Sequence, residues 1–231
     1  MIGNCPTSRH SGLPVVAFGG CVDPHKPKPT FAIRRGVIPC PRIQEWRRLV
    51  VNGQAIERRP GLAEVQNMLL ATATTVRTFL LPHWRRWHEA WGPPAPTMLS
   101  QWTCVRSSLL LVRALERQGI PVALRSGQPV VEAANDAGGN YGLLTVGGWA
   151  GHAWVEAAGF VIDITADQFG HAPVLVTSVD DPAYRHADEG PHQLKPTLAG
   201  VAAVDEIWTS WCSYVDQQCP LTGGQVATLR G

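Results

Sequence analysis

The stretch Gly151–Thr165, GHAWVEAAGFVIDIT, restricts the fold more than any other part of the chain. Apolar, aromatic and β-branched residues fill both halves, and Ala158-Gly159 separates them. That is the pattern of two antiparallel strands joined by a tight turn. Turn length decides what the hairpin presents. With two turn residues, Ala157 faces Phe160 and Trp154 faces Asp163. His152 then shares a face with Asp163, displaced by two positions, and such diagonal neighbours lie roughly 7–8 Å apart, within reach of long side chains. Three turn residues would put the two on opposite faces. Ile162 and Ile164 flank Asp163 and should enter a core on the reverse face. A carboxylate in so apolar a strand needs a partner, and His152 can supply one. Asp167 is the fallback should Asp163 face away.

A helix is predicted ahead of this hairpin, from about Ser100 to Gln118, with Gly119 as its stop. Cys104, Ser108, Leu111 and Leu115 form one stripe, and Val105, Leu109 and Val112 lie beside it. Cys104 falls in the first turn, where unpaired N–H groups and the macrodipole favour an anion. A thiol reacts as its thiolate, a form favoured by such a position or by a neighbouring imidazolium. The same N–H groups suit a developing oxyanion. Cys104, His152 and Asp163 therefore satisfy the logic of nucleophile, base and orienter. The other cysteines, at 5, 21, 40, 212 and 219, have no comparable setting. None of the six forms a CxxC pair, so the usual zinc and redox spacings are absent.

The rest of the chain supports an α+β layout. Residues 1–60 are punctuated by prolines and read as an irregular arm or set of loops, with a short strand expected at Phe31–Ile33. Residues 61–97 read as a helical segment from Leu62 to about Trp91, which Pro82 should break or kink. Trp84, Trp87 and Trp91 line one of its faces and are read as core. Residues 98–231 form the predicted catalytic core. It contains the Cys104 helix, a strand at PVALRSG, a long loop from Gln128 to Asn140, and strands at Tyr141–Val146, Gly151–Glu156, Phe160–Thr165 and Pro173–Thr177. A closing helix carries Val201, Val204, Trp208, Trp211 and Val215 on one stripe. The loop from Gln128 to Asn140 is a candidate lid. DDPAYRHADEGPHQLKP reads as loop.

TCVRSSLLLVRALERQGIPVALRSG followed by GHAWVEAAGFVIDITADQF resembles the transglutaminase-like branch of the papain-like superfamily. The carriers are a helix-start Cys104, the His152-Ala153-Trp154 triplet and Asp163-Ile164-Thr165. A weaker similarity, through CxxxS and HAWVE, is to the cysteine peptidases that mature lasso peptides. The resemblance spans about residues 98–178. It implies a catalytic helix packed on an antiparallel sheet and a thioester intermediate on Cys104. The backbone N–H of Cys104, with Gln101 or Trp102, would then hold the oxyanion, and Gln168 is a second candidate donor. The implied substrate is a protein or peptide amide, with no cofactor.

Composition limits the alternatives. The formal net charge of +2 is small and scattered, which argues against a nucleic-acid partner. The hydrophobic fraction of 45% with only 16% charged residues indicates a globular chain. No apolar run is long enough for a membrane span, and no secretory signal is evident, so a cytoplasmic setting is expected. A metal site on Cys104, His152 and Asp163 is chemically permitted but lacks an apparent fourth ligand. His83 and His88 are off the i, i+4 spacing. Asp180, Asp181, Asp188 and Glu189 do not follow a calcium-loop pattern. A catalytically inactive module that keeps the fold is the remaining rival.

Overall fold

The computed structural model describes residues 49–51, 54–56, 60–129, 140–188 and 190–218. The strand expected at Phe31–Ile33 and all but the ends of the candidate lid lie outside the described residues. The last part of the expected irregular arm instead pairs as a small antiparallel hairpin, β1 (Leu49–Val51) with β2 (Gln54–Ile56). Asn-Gly stands between the two strands in sequence, a strong hairpin signal.

Helix α1 (Leu62–Trp91) runs unbroken through Pro82, so the proline does not break the element. Phe79 and Leu80 before the proline and Trp84 and Trp87 after it are all buried. Burial on both sides offsets the one backbone bond that proline forfeits. Helix α2 (Cys104–Arg117) begins at the cysteine itself, four residues later than its pattern suggested. Residues 98–102 form turns ahead of it. Helix α3 (Leu198–Gln218) buries Val204, Ile207 and Trp211.

The strands make two further sheets among the described residues rather than one run. The first has the order β3 (Val122–Gly127), β6 (His152–Ala157), β7 (Phe160–Asp163), β8 (Leu175–Ser178), all antiparallel. The second has the order β5 (Gly148–Ala150), β4 (Gly142–Thr145), β9 (Tyr184–Arg185). β5 and β9 were not expected, nor was the 3-10 turn at Ala166–Phe169. Gly127 of β3 lets the sheets approach: a Cβ there would run into the backbone nitrogen of Gly142 in β4.

The four-stranded sheet separates two cores. Val155, Ala157, Ile162 and Ile164 pack with apolar residues of all three helices, including Leu69, Leu80, Trp84, Leu111 and Trp211. Segment 61–97 therefore shares a core with helices α2 and α3 and the four-stranded sheet. Trp154 and Val161, from the alternate positions, pack with Leu143 and Tyr184. The molecule is thus a mixed α+β fold with antiparallel sheets. Among the described residues no helix is long and apolar enough to cross a membrane.

Candidate active site

The β6–β7 turn has two residues. Ala158 (φ +51°) and Gly159 (φ +84°) both occupy the left-handed region, as a tight hairpin of this twist requires. Ala157 pairs with Phe160, Glu156 with Val161 and Val155 with Ile162. This is the register that puts His152 and Asp163 on one face. Their side chains meet: His152 Nε2 lies 2.6 Å from Asp163 Oδ2, and both residues are fully buried.

Asp163 is bound on both oxygens. Oδ1 accepts the Thr165 N–H at 2.8 Å and the Thr165 hydroxyl at 3.2 Å. Oδ2 accepts His152 and the Tyr184 hydroxyl, the latter at 3.0 Å. Burial alone would push this carboxyl up. The His152 charge, its hydrogen bond and those of Thr165 and Tyr184 outweigh burial and hold it below the usual value. Burial likewise pulls His152 down, but Asp163 overcomes it and Cys104 adds to the effect, so the imidazole is held well above its usual value. Burial first, and Asp163 second, push the Tyr184 phenol up, so it stays a donor.

An ionised Asp163 assigns the proton of Nε2, leaving Nδ1 as the ring nitrogen with no partner in the pair. Nδ1 is buried and makes no hydrogen bond of good geometry. Among the described residues, the ionisable group besides Asp163 that acts on the ring is Cys104. Phe169 meets the ring edge-on at 4.9 Å, and Trp154 stacks at 6.3 Å.

Cys104 reaches this point because α2 is held from two sides. Ser108, one turn along the stripe, donates to the Ala153 carbonyl of β6 at 3.1 Å. At the helix start a buried relay runs from the Trp84 indole N–H to Ser107 Oγ (3.0 Å), from Ser107 to Thr103 Oγ1 (3.2 Å), and from Thr103 to the Ser100 carbonyl (2.8 Å). Cys104 is half-buried and free. Trp102, two residues earlier, has φ +62°, a left-handed conformation that costs a non-glycine residue on the order of 1 kcal/mol or more.

The proposed supporting residues divide. The N–H groups of Trp102 and Cys104 have no acceptor among the described residues, so both suit an oxyanion. The Gln101 side-chain oxygen is taken by Thr97 N–H and hydroxyl, at 2.9 and 3.1 Å. Gln168 does not serve as an oxyanion donor here: its amide donates to the Thr165 carbonyl at 2.9 Å and braces the turn after Asp163. Asp167 is not the orienter, because it pairs with Arg77 of α1 at 2.6 Å. Arg77 also binds the Ile164 and Pro173 carbonyls, tying α1 to the segment that follows Asp163.

Tyr184 is the residue of this cluster that pattern reading missed. Its strand has only two residues, too short for a period to show. The available signal was Asp180-Asp181-Pro182. Asp181 caps this turn, accepting from Thr177 Oγ1 at 3.0 Å and Ala183 N–H at 3.0 Å, and so delivers Tyr184. Trp91 departs from expectation in the other direction. Trp84 and Trp87 are core, but Trp91 is 40% exposed. No three His, Cys, Asp or Glu side chains among the described residues are arranged to hold a metal ion.

Comparison with known proteins finds no matching family profile, no matching curated protein and no matching solved structure.

Proposed function

We propose that this chain is a thiol-dependent acyl-transfer enzyme with a transglutaminase-like, papain-like core, acting on a peptide-bond or glutamine amide. The observation that carries the reading is the buried His152–Asp163 pair at 2.6 Å, whose free ring nitrogen has Cys104 as its ionisable neighbour. Nδ1 takes the Cys104 proton, and the sulfur attacks the carbonyl carbon. Oxygen gains negative charge, held by the N–H groups of Cys104 and Trp102. The C–N bond then breaks as Nδ1–H protonates the departing amine or ammonia, leaving a thioester on Cys104. Water or a second amine, deprotonated by Nδ1, resolves it. A protein or peptide substrate in the cytoplasm fits this chemistry.

Reaction with iodoacetamide at neutral pH tests it. Cys104 should be carboxamidomethylated faster than the five other cysteines, and His152→Ala should remove the difference. Equal rates for all six sites, read by peptide mapping, would overturn the assignment of Cys104 as an activated nucleophile.

A further inference from the structure

A band of exposed aromatic surface adjoins the nucleophile. Trp102 is 51% exposed and Trp91 40%, with Met98, in the turn between them, at 37%. His88 links the two indoles, meeting Trp91 edge-on at 5.0 Å and Trp102 at 6.1 Å, while its Nε2 contacts the Leu99 carbonyl at 2.9 Å. The far end of the band is charged. The Arg106 guanidinium lies 4.8 Å over the Trp91 ring and 5.2 Å over Trp87. Partial burial lowers its pKa, and it pairs with no carboxylate among the described residues.

Three features make this more than a stray apolar patch. Trp102 is exposed although its backbone is in a strained conformation, a combination that packing does not explain. The band starts two residues before Cys104. It ends on an unpaired cation, which calls for an anion. Arg106 is two residues after Cys104, about 200° round the helix, so its guanidinium serves a position removed from the reacting carbonyl.

We propose that Trp102, Trp91 and Arg106 form the acyl-donor site. It takes a peptide with an aromatic or large apolar side chain beside the attacked carbonyl and a carboxylate one or two residues away. This inference rests on Cys104 being the nucleophile. Indole faces pack on aromatic and aliphatic side chains, and the guanidinium fork receives a carboxylate.

Peptidyl chloromethyl ketones separate the two ideas, because sulfur displaces chloride and forms one S–C bond whatever the later chemistry. The full chain is treated with acetyl-Asp-Gly-Phe, acetyl-Lys-Gly-Phe and acetyl-Asp-Gly-Ala chloromethyl ketones, and with iodoacetamide. Cys104 modification is timed by mass spectrometry. The Phe reagent should react about tenfold faster than the Ala reagent, the scale of discrimination an apolar subsite gives. Asp should be favoured over Lys about two- to five-fold at low salt, as for a partly exposed ion pair. Trp102→Ala or Trp91→Ala should bring the Phe:Ala ratio towards one, and Trp102→Phe should restore it. Arg106→Gln should abolish the Asp:Lys ratio and leave a Phe preference. Ratios within one variant cancel changes in folding and thiol reactivity. Selective iodoacetamide labelling of Cys104 with a Phe:Ala ratio near one overturns this site alone. A Phe:Ala ratio that survives loss of the indoles, or an Asp:Lys ratio that survives Arg106→Gln, also overturns it. Failure of every reagent to favour Cys104 overturns the nucleophile and this site together.

Discussion

The β6–β7 hairpin has two faces made from alternating residues of the same two strands. Val155, Ala157, Ile162 and Ile164 point to the helices and join the main core. His152, Trp154, Val161 and Asp163 point to β4 and β9, and there a buried ion pair replaces aliphatic packing. A one-residue step along the chain moves between the two. The comparison teaches that one face holds the molecule together and the other holds charge, and that turn length keeps them apart.

The largest effect should come from exchanging the faces. One glycine inserted between Ala158 and Gly159 shifts the parity of β7 against β6. Activity and the cooperative thermal transition should both be lost, as read by circular dichroism; a stable, active variant would break the comparison.

Next are single truncations on either side. Ile162→Ala should cost roughly 2–5 kcal/mol, measured by denaturant unfolding. Cys104→Ala, at the half-buried start of α2, should lower activity by about four orders of magnitude or more. It should move the melting temperature by only about 2 °C. A large loss of stability in Cys104→Ala would instead indicate a structural thiol.

Asp163→Asn sharpens the contrast, because the charged face also contributes stability. Leaving one partner of a buried ion pair uncompensated costs about 3–5 kcal/mol. Asp163 sits below its ordinary 3.8 when folded, so its contribution is complete above 3.8 and is lost as pH falls through the lowered folded value. His152 sits above its ordinary 6.5, so its contribution is complete below 6.5 and is lost as pH rises through the raised folded value. The melting-temperature gap between the native protein and Asp163→Asn should therefore be widest between pH 3.8 and 6.5 and should narrow on both sides. A gap independent of pH would show that the pair is not ionised.

Tyr184→Phe should have the smallest effect. One of four hydrogen bonds to Asp163 is removed, costing about 1 kcal/mol in stability. The acid decline of that stability should begin at higher pH, because the Tyr184 hydrogen bond helps hold the Asp163 carboxyl down.

The hairpin register was legible because parity is arithmetic: once the turn is Ala158-Gly159, the faces of His152 and Asp163 follow. The Cys104 helix was legible through its stripe, but its first residue was not. That boundary depends on Thr103, Ser107 and Trp84 bonding across 23 residues, which no local pattern encodes. Pro82 misled because propensity is local while the burial of Phe79 and Trp84 is not. Tyr184 was hidden for the same reason. It reaches Asp163 across 21 residues from a segment whose composition reads as loop. The split into two sheets was equally hidden, since Gly127 betrays a close approach only when Gly142 is seen beside it.

The four bonds on Asp163 also decide the route of the proton. Both carboxylate oxygens are occupied, so the imidazole is held in one tautomer and one orientation before any substrate arrives. In the proposed reaction the ring has a single open port, Nδ1, through which the thiol proton enters and from which the leaving group collects it. Timing of the two transfers then lies with whatever enters next to sulfur, not with any search by the histidine.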